Sequence, residues 1–508
     1  MSNGSGIKKT IGVLMLTSLF LPAVNAGGSS VTQTKRRPTQ TETWRKQRPP
    51  ADPPRPFSLP KVRQSQLENG LSLLLIEDHT SPIATILIGV PLSIEPSDID
   101  SMTRQTALSE ATAELITEGT GSKTSEQVAR EVETLGGRLA SSANDDFAEI
   151  SSSVVSENVD RMMEVVGDVL LHPAFPESEV ALYKKNRIQT LVVQRQDPSY
   201  LAGEEFARVV FGQHPYAISS PTPASVDALD RQKISEFYSS RFGPRGAAAV
   251  IVGDFDATKM EAKARQVLAP WKDLPRSATA RKETDFPKPT ETRIYLVNRP
   301  ASEQSDFRIG NLSVTRTSPD YFPLVVANSI LGAGTGSRLF LNIREKKGFA
   351  YDVYSTVGAL KFAGDFFAGA ETRTEVTAQA IKEMLAELDR LQNERVGAQE
   401  LQDAKNYLNG LFSLSLATQA GLGGRVLQSQ MLELGTGYLE SYRAKVDAVT
   451  AEQVQAAAKK YMLSGRTTIV VVGDASKLSK DLAAIGAVEV VEMDRSSSKP
   501  SRSSLRQL

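Results

Sequence analysis

The 508-residue sequence contains no cysteine. That excludes disulfides, thiolate metal sites, a cysteine nucleophile and a lipidated N-terminal cysteine. Histidine is almost as scarce. Only His79, His172 and His214 occur; they are far apart, and none has a companion ligand three or four residues away. Net charge is absent as well: 59 basic and 59 acidic residues cancel, whereas a nucleic-acid binder normally carries a basic face. Beyond the N-terminus, no stretch approaches the roughly 20 apolar residues of a membrane-spanning helix.

What is present begins with an export pattern. Lys8-Lys9 precede an apolar run, Ile11 to Val24, and Val24-Asn25-Ala26 is a small-residue cleavage site. This predicts a cleavable signal peptide over residues 1–26, no transmembrane span in the mature chain, and a periplasmic or secreted protein. A cysteine-free exported chain fits a bacterial periplasm. Residues 27–57, KRRPTQTETWRKQRPPADPPRP for the most part, predict a disordered Pro/Arg-rich linker. The serine-rich, basic tail 496–508 is expected to be disordered too.

Between these ends the composition is ordinary for a soluble protein, with 23% charged and 40% apolar residues. Length alone allows about three domains. Asn69-Gly70 signals a turn, and two strand-like runs follow it, Leu71 to Ile76 and then Ile83 to Val90. A helix follows over Ala107 to Thr120, a second over Thr124 to Leu135, and an alternating strand over Phe147 to Val155. Val159 to Leu171 and Glu177 to Gln194 read as further helices, and Val250-Ile251-Val252 as a buried strand. The pattern then recurs. Lys185-Asn186 returns as Lys405-Asn406, Val226-Asp227-Ala228 as Val446-Asp447-Ala448, and Val252-Gly253-Asp254 as Val472-Gly473-Asp474, each 220 residues later. Three matches at one offset predict an internal duplication. The halves are placed at 58–280 and 281–495, joined by a polar connector from Pro275 to Thr292. Strands followed by helices give an α+β class.

The stretch ALSEATAELITEGT, Ala107 to Thr120, carries Glu110 and Glu114 one helical turn apart on one face. Its layout resembles the inverted zinc motif H-x-x-E-H of the insulinase / pitrilysin / mitochondrial-processing-peptidase family, including the closing Gly-Thr. On that motif Glu110 stands at the first histidine, Ala113 at the general base and Glu114 at the second histidine. The family's third ligand, a glutamate, would fall on Thr190, 76 residues after Glu114. Two carboxylates without imidazole or a third ligand are a poor catalytic zinc set, so no metal is expected in this chain. The resemblance implies two homologous halves, each a largely antiparallel sheet covered by helices, facing each other across a cavity.

The second half carries GAGTGSRLFLNIREKKGFAY, Gly332 to Tyr351. This is similar to the same family's C-terminal signature: a glycine-rich loop, Ser-Arg-Leu-Phe, then Arg-Glu-Lys-x-Gly-x-x-Tyr. The resemblance implies that Arg344 and Tyr351 bind substrate backbone and steady the tetrahedral intermediate. It also implies that Gly332, Gly334 and Gly336 belong to a substrate-contacting loop. That loop lacks the Lys-Ser/Thr ending of a phosphate cradle and follows a helix, which argues against nucleotide binding. Phe147 to Val155 is a candidate edge strand for peptide addition, an interior position being the alternative. His214, in the family-like Gly212 to Tyr216 segment, is expected to be structural, as are His79 and His172.

The expectation is a zinc-less subunit of a paired insulinase-type metalloendopeptidase. A homologous partner would bear the zinc, and peptides or unfolded proteins would be the substrates. The alternative is a non-catalytic peptide- or protein-binding protein of the cell envelope. A third possibility, a self-sufficient hydrolase with carboxylate-bound metal, has the ligand chemistry against it.

Overall fold

The structure, a computed structural model, describes residues 58–92, 94–274, 286–435, 437–493 and 500–503. The expected signal peptide, the 27–57 linker, the first part of the connector and most of the tail lie outside the described residues.

The first half runs β1 (Val62–Gln66), β2 (Ser72–Glu77), β3 (Ile83–Pro91), α1 (Ile99–Leu115), α2 (Ser125–Thr134), β4 (Arg138–Ala143) and β5 (Phe147–Val155). There follow α3 (Val159–Leu171), α4 (Glu177–Gln194), α5 (Pro198–Phe211), α6 (Pro223–Asp227), α7 (Arg231–Arg241), β6 (Ala248–Gly253) and α8 (Ala257–Leu268). The second half runs β7 (Arg293–Asn298), β8 (Gln304–Leu312), α9 (Tyr321–Gly332), β9 (Ala350–Ala359), β10 (Gly364–Arg373), α10 (Thr377–Asn393) and α11 (Ala398–Ser415). It closes with α12 (Gln419–Met431), α13 (Gly437–Asp447), α14 (Ala451–Tyr461), β11 (Thr468–Gly473), α15 (Ala475–Ala483), β12 (Ala487–Met493) and β13 (Pro500–Ser503).

The duplication is visible in the sheets. The first is ordered β1-β2-β6-β3-β5-β4 and the second β13-β12-β7-β11-β8-β10-β9. Parallel β2·β6 corresponds to parallel β7·β11, and antiparallel β6·β3, β3·β5 and β5·β4 correspond to β11·β8, β8·β10 and β10·β9. Both sheets are largely antiparallel and helix-covered, so the chain is α+β with two homologous halves. The halves differ at one sheet border, where β1 flanks the first and β12 with β13 the second. Strand β13 corrects the expectation of a wholly disordered tail: Pro500–Ser503 pairs antiparallel with β12, whose edge would otherwise be open.

Central strands are apolar on both faces, and the two faces have different covers. In β6, Ala249 and Ile251 pack with the first half's own helices. Ala248, Val250 and Val252 pack instead in the cluster that includes Leu422, Val426 and Leu427 of α12. Reciprocally, Val470 and Val472 of β11 meet Leu201, Ala202, Phe206 and Val210 of α5. Each half therefore lends one helix to the inner face of the other's sheet. A continuous apolar run, not an alternating one, is what double-sided burial requires. Gly203 of α5 and Gly423 of α12, again 220 apart, sit where the lent helices cross. An added Cβ would lie 2.8 Å from Arg308 Nη1 and 3.0 Å from Leu87 Cδ1 respectively. Gln419 Nε2 donates to Asp78 O at 2.9 Å and Arg308 Nη2 to Ser199 O at 3.2 Å, tying the halves further. Among the described residues no helix is long and apolar enough to cross a membrane.

Candidate functional site

Helix α1 starts earlier than its motif, at Ile99, because Asp98 caps it by accepting from Ser101 N. It ends at Leu115, four residues before the Gly-Thr pair, and Gly119 then takes φ +96 in the turn that follows. Alanines and threonines dominate its buried side, among them Ala107, Ala111, Thr112 and Ala113. Ala113 is fully buried in the first-half core; a methyl there can take no proton.

Glu110 is already bound. Arg187, on α4, donates to its Oε2 through Nε at 3.0 Å and through Nη2 at 2.8 Å. Both side chains are mostly buried, 17% exposed for Arg187 and 20% for Glu110. Burial raises the Glu110 pKa, and the Arg187 charge and hydrogen bond oppose that rise. Burial raises Glu114 as well, again against Arg187. The guanidinium thus joins α1 to α4 beside the place where a metal would join them. Thr190, one turn further along α4, is exposed and turns its Oγ1 back to Asn186 O at 3.0 Å. The four positions Glu110, Ala113, Glu114 and Thr190 do not converge on a metal, and an arginine stands against the carboxylate that would have to bind one. Zinc does not fit this donor set. Among the described residues no group of three or more histidines, aspartates or glutamates is placed to hold a metal. Arg187 escaped the sequence reading. Its signal was a cation three residues before the third-ligand position.

The histidines lie elsewhere. His214 is buried, accepts from Tyr216 N through Nδ1 at 3.2 Å and packs against Tyr216 and Phe286. His79 pairs with Asp254 at 2.6 Å. His172 does have an acidic neighbour one turn back, contrary to expectation: its Nδ1 is 3.3 Å from Asp168 Oδ1.

In the second half, Phe340–Lys346 forms a π-helical turn, a rare conformation that is frequent at functional sites. Gly348 at φ +63 then reverses the chain into β9. This geometry brings Arg344 and Tyr351 together. The guanidinium lies 4.5 Å from the Tyr351 ring centre and 4.7 Å from that of Phe340, between the two. Glu345 is its nearest carboxylate, 3.6 Å away. Tyr351 is 82% exposed and the Arg344 side chain about one-third exposed, so an open phenol and a half-buried guanidinium stand side by side at the edge strand β9. Strand β5, the candidate edge, takes the alternative interior position: it pairs with β3 on one side and β4 on the other, which uses its backbone groups. The exposed borders on this side of the sheets are β4 and β9.

The three loop glycines divide by environment. Gly332 ends α9 under β9, and an added Cβ would lie 2.4 Å from Ser355 Oγ and 2.5 Å from its backbone N. Gly334, at φ +111, rests against Tyr407 of α11. Gly336 faces open space. Arg338 fixes the end of the loop through two hydrogen bonds to Glu400, at 2.7 and 2.8 Å. Tyr407 stands 220 residues after Arg187, so the residue that packs on the glycine loop is the counterpart of the one that binds Glu110. Gly332→Ala is expected to destabilise the fold by about 1–2 kcal/mol through overpacking, whereas Gly336→Ala should leave it unchanged. Chemical denaturation of the two variants distinguishes a packing glycine from a surface one.

Residues 109–218 match the family described as Insulinase (Peptidase family M16), and residues 228–408 match the Peptidase M16 inactive domain. The chain belongs to the insulinase family, peptidase family M16, in its non-zinc-binding form. An uncharacterized zinc protease of Streptomyces coelicolor is 25% identical over 368 residues, 71% of this chain and 79% of its own. Another, from Mycobacterium leprae, is 25% identical over 419 residues, 81% and 92% of the two chains. A crystal structure of a peptidase M16 inactive domain from Pseudomonas fluorescens superposes with a TM-score of 0.74 at 25% identity, covering 82% of this chain and 98% of that one. A Helicobacter pylori protease shares the fold, with a TM-score of 0.75 at 18% identity, covering 82% and 100%. The description as a zinc protease belongs to the Streptomyces and Mycobacterium relatives. At the motif positions this M16 chain carries Glu110, Ala113 and Glu114.

Proposed function

We propose that this M16 chain is the zinc-less subunit of a paired metalloendopeptidase, exported to the periplasm or beyond. Its partner is a homologous chain with an intact H-x-x-E-H helix, which brings the zinc, the attacking water and the general base. This chain brings Arg344 and Tyr351, two hydrogen-bond donors for a polarised peptide carbonyl, and the Gly334–Gly336 loop for the substrate backbone. The observation that carries the proposal is the contrast between the halves. Arg187 occupies Glu110 in the first, while Arg344 and Tyr351 stand together and open in the second.

The test is to purify the chain alone, a zinc-bearing homologue alone, and the mixture, and to follow a quenched peptide. The chain alone should not cleave, and the mixture should outpace the homologue. A mixture no faster than the homologue rejects the subunit assignment.

A second reading, peptide binding without hydrolysis by either chain, draws on α11. Its Tyr407, Leu411 and Leu414 expose an apolar stripe, with Leu414 71% exposed, and this could hold unfolded segments. Saturable peptide binding with an inactive mixture would favour it.

A further inference from the structure

The second half contains a pocket of about 460 Å³ away from Arg344 and Tyr351, between the loop that enters α9, the first turn of α9, and α13. Phe322, Leu434 and Tyr438 give it apolar and aromatic walls, and Arg316 and Lys445 give it positive charge. Arg316 is half-buried. Its guanidinium lies 4.2 Å over the Tyr321 ring and 5.5 Å from that of Tyr438. Its Nη1 donates to the neutral Tyr321 hydroxyl, and its Nε is buried without an acceptor. Lys445, on the exposed rim, lies 5.5 Å from the Phe322 ring and 5.4 Å from that of Tyr438. Among the described residues neither cation has a carboxylate partner. Glu433, the one acid among the described residues that line the pocket, is held at 2.8 Å by Lys361.

A guanidinium withdrawn from water without a counter-charge is costly to keep. An apolar-walled pocket with a few converging polar groups is the usual form of a small-ligand site. We propose that this pocket binds a carboxylate attached to an aromatic or bulky apolar body. The carboxylate accepts from Arg316 and Lys445, and the body lies against Phe322 and Tyr438. A free aromatic acid and the C-terminal residue of a peptide share this chemistry. The site uses no residue of the proposed peptidase machinery, so it stands or falls apart from the subunit assignment.

The test is calorimetric titration of the full chain with N-acetyl-phenylalanine, its C-terminal amide, an acetylated tetrapeptide ending in phenylalanine with a free carboxylate, and inorganic phosphate. The acid is expected to bind with one-to-one stoichiometry, and the amide about ten-fold or more weakly, since one charge-assisted hydrogen bond is worth that much. Arg316→Gln and Lys445→Gln should each weaken the acid by a similar factor. Arg316 also braces Tyr321, so the rim variant Lys445→Gln, checked for an unchanged melting temperature, keeps the test independent of folding. A tetrapeptide tighter than the single residue assigns the site to peptide termini, and equal affinities assign it to free acids. Acid and amide binding alike, Lys445→Gln binding as the parent does, phosphate outbinding the acid, or no binding of either acid at millimolar concentration would each overturn the proposal.

Discussion

Arg187→Met is expected to destabilise the folded chain by about 2–3 kcal/mol at neutral pH. Removing one member of a buried ion pair leaves the other charge uncompensated, at about 3–5 kcal/mol when burial is complete. Both side chains here keep some exposure, 17% and 20%, which places the effect at or below the lower end of that range. The penalty should also depend on pH. Burial raises the pKa of Glu110 and of Glu114 above 4.5, and Arg187 restrains both. A carboxyl whose folded pKa is raised contributes stability that is full below its unfolded value and is lost as pH rises through the folded one. Without Arg187 the folded values climb further, so more is lost on the way up. The variant should therefore come closest to the parent near pH 4 and fall behind towards pH 7. Denaturation curves at the two ends measure this. The double variant Arg187→Met, Glu110→Gln, which leaves no unpaired charge at either position, should recover most of the loss. Equal stability of parent and single variant at pH 7 would mean that the pair is merely solvated.

The same pair shows how far the sequence could be followed. The limits of α3 and β5 were legible because each depends on local periodicity: an amphipathic helix and an alternating strand carry their bounds in their own residues. The duplication was legible because three short matches kept one offset. What local pattern cannot express is which partner covers a face. Strands β6 and β11 announced burial on both sides through Val250-Ile251-Val252 and its repeat, but not that the inner cover is a helix lent by the other half. Strand β5 alternates as an edge strand would, yet its neighbours come from β3, some sixty residues earlier, and from the adjacent β4. The eroded positions Glu110, Ala113, Glu114 and Thr190 were legible against a motif. Arg187 was not, because an arginine on a helix is informative only once α1 is known to face α4. Gly332 was grouped with Gly334 and Gly336 by sequence. The closeness of Ser355 separates it, and that is a tertiary contact.

In the proposed pairing with a zinc-bearing homologue, Arg344→Ala is expected to lower kcat roughly 10²-fold or more, the scale measured when one preorganised donor to a developing oxyanion is removed. KM should change far less, since the lost interaction strengthens only as charge develops. The geometry makes the prediction specific to arginine. Its planar group is held between the Phe340 and Tyr351 rings, at 4.7 and 4.5 Å, a stacking that the compact ammonium of lysine cannot reproduce. Arg344→Lys should therefore remain well below the parent despite keeping the charge. Tyr351→Phe separates the two contributions of the tyrosine. The ring that supports Arg344 remains and only the hydroxyl is lost, so about ten-fold is expected for one neutral donor. Tyr351→Ala removes both and should approach the Arg344→Ala rate. Neither change should alter the stability of this chain by much, because Tyr351 is almost fully exposed and, among the described residues, Arg344 has only its neighbour Glu345 as an ionic partner. An unchanged kcat in Arg344→Ala, measured with the partner saturating and assembly verified, would remove the pair from catalysis. What remained would be a π-helical turn serving only to start an edge strand.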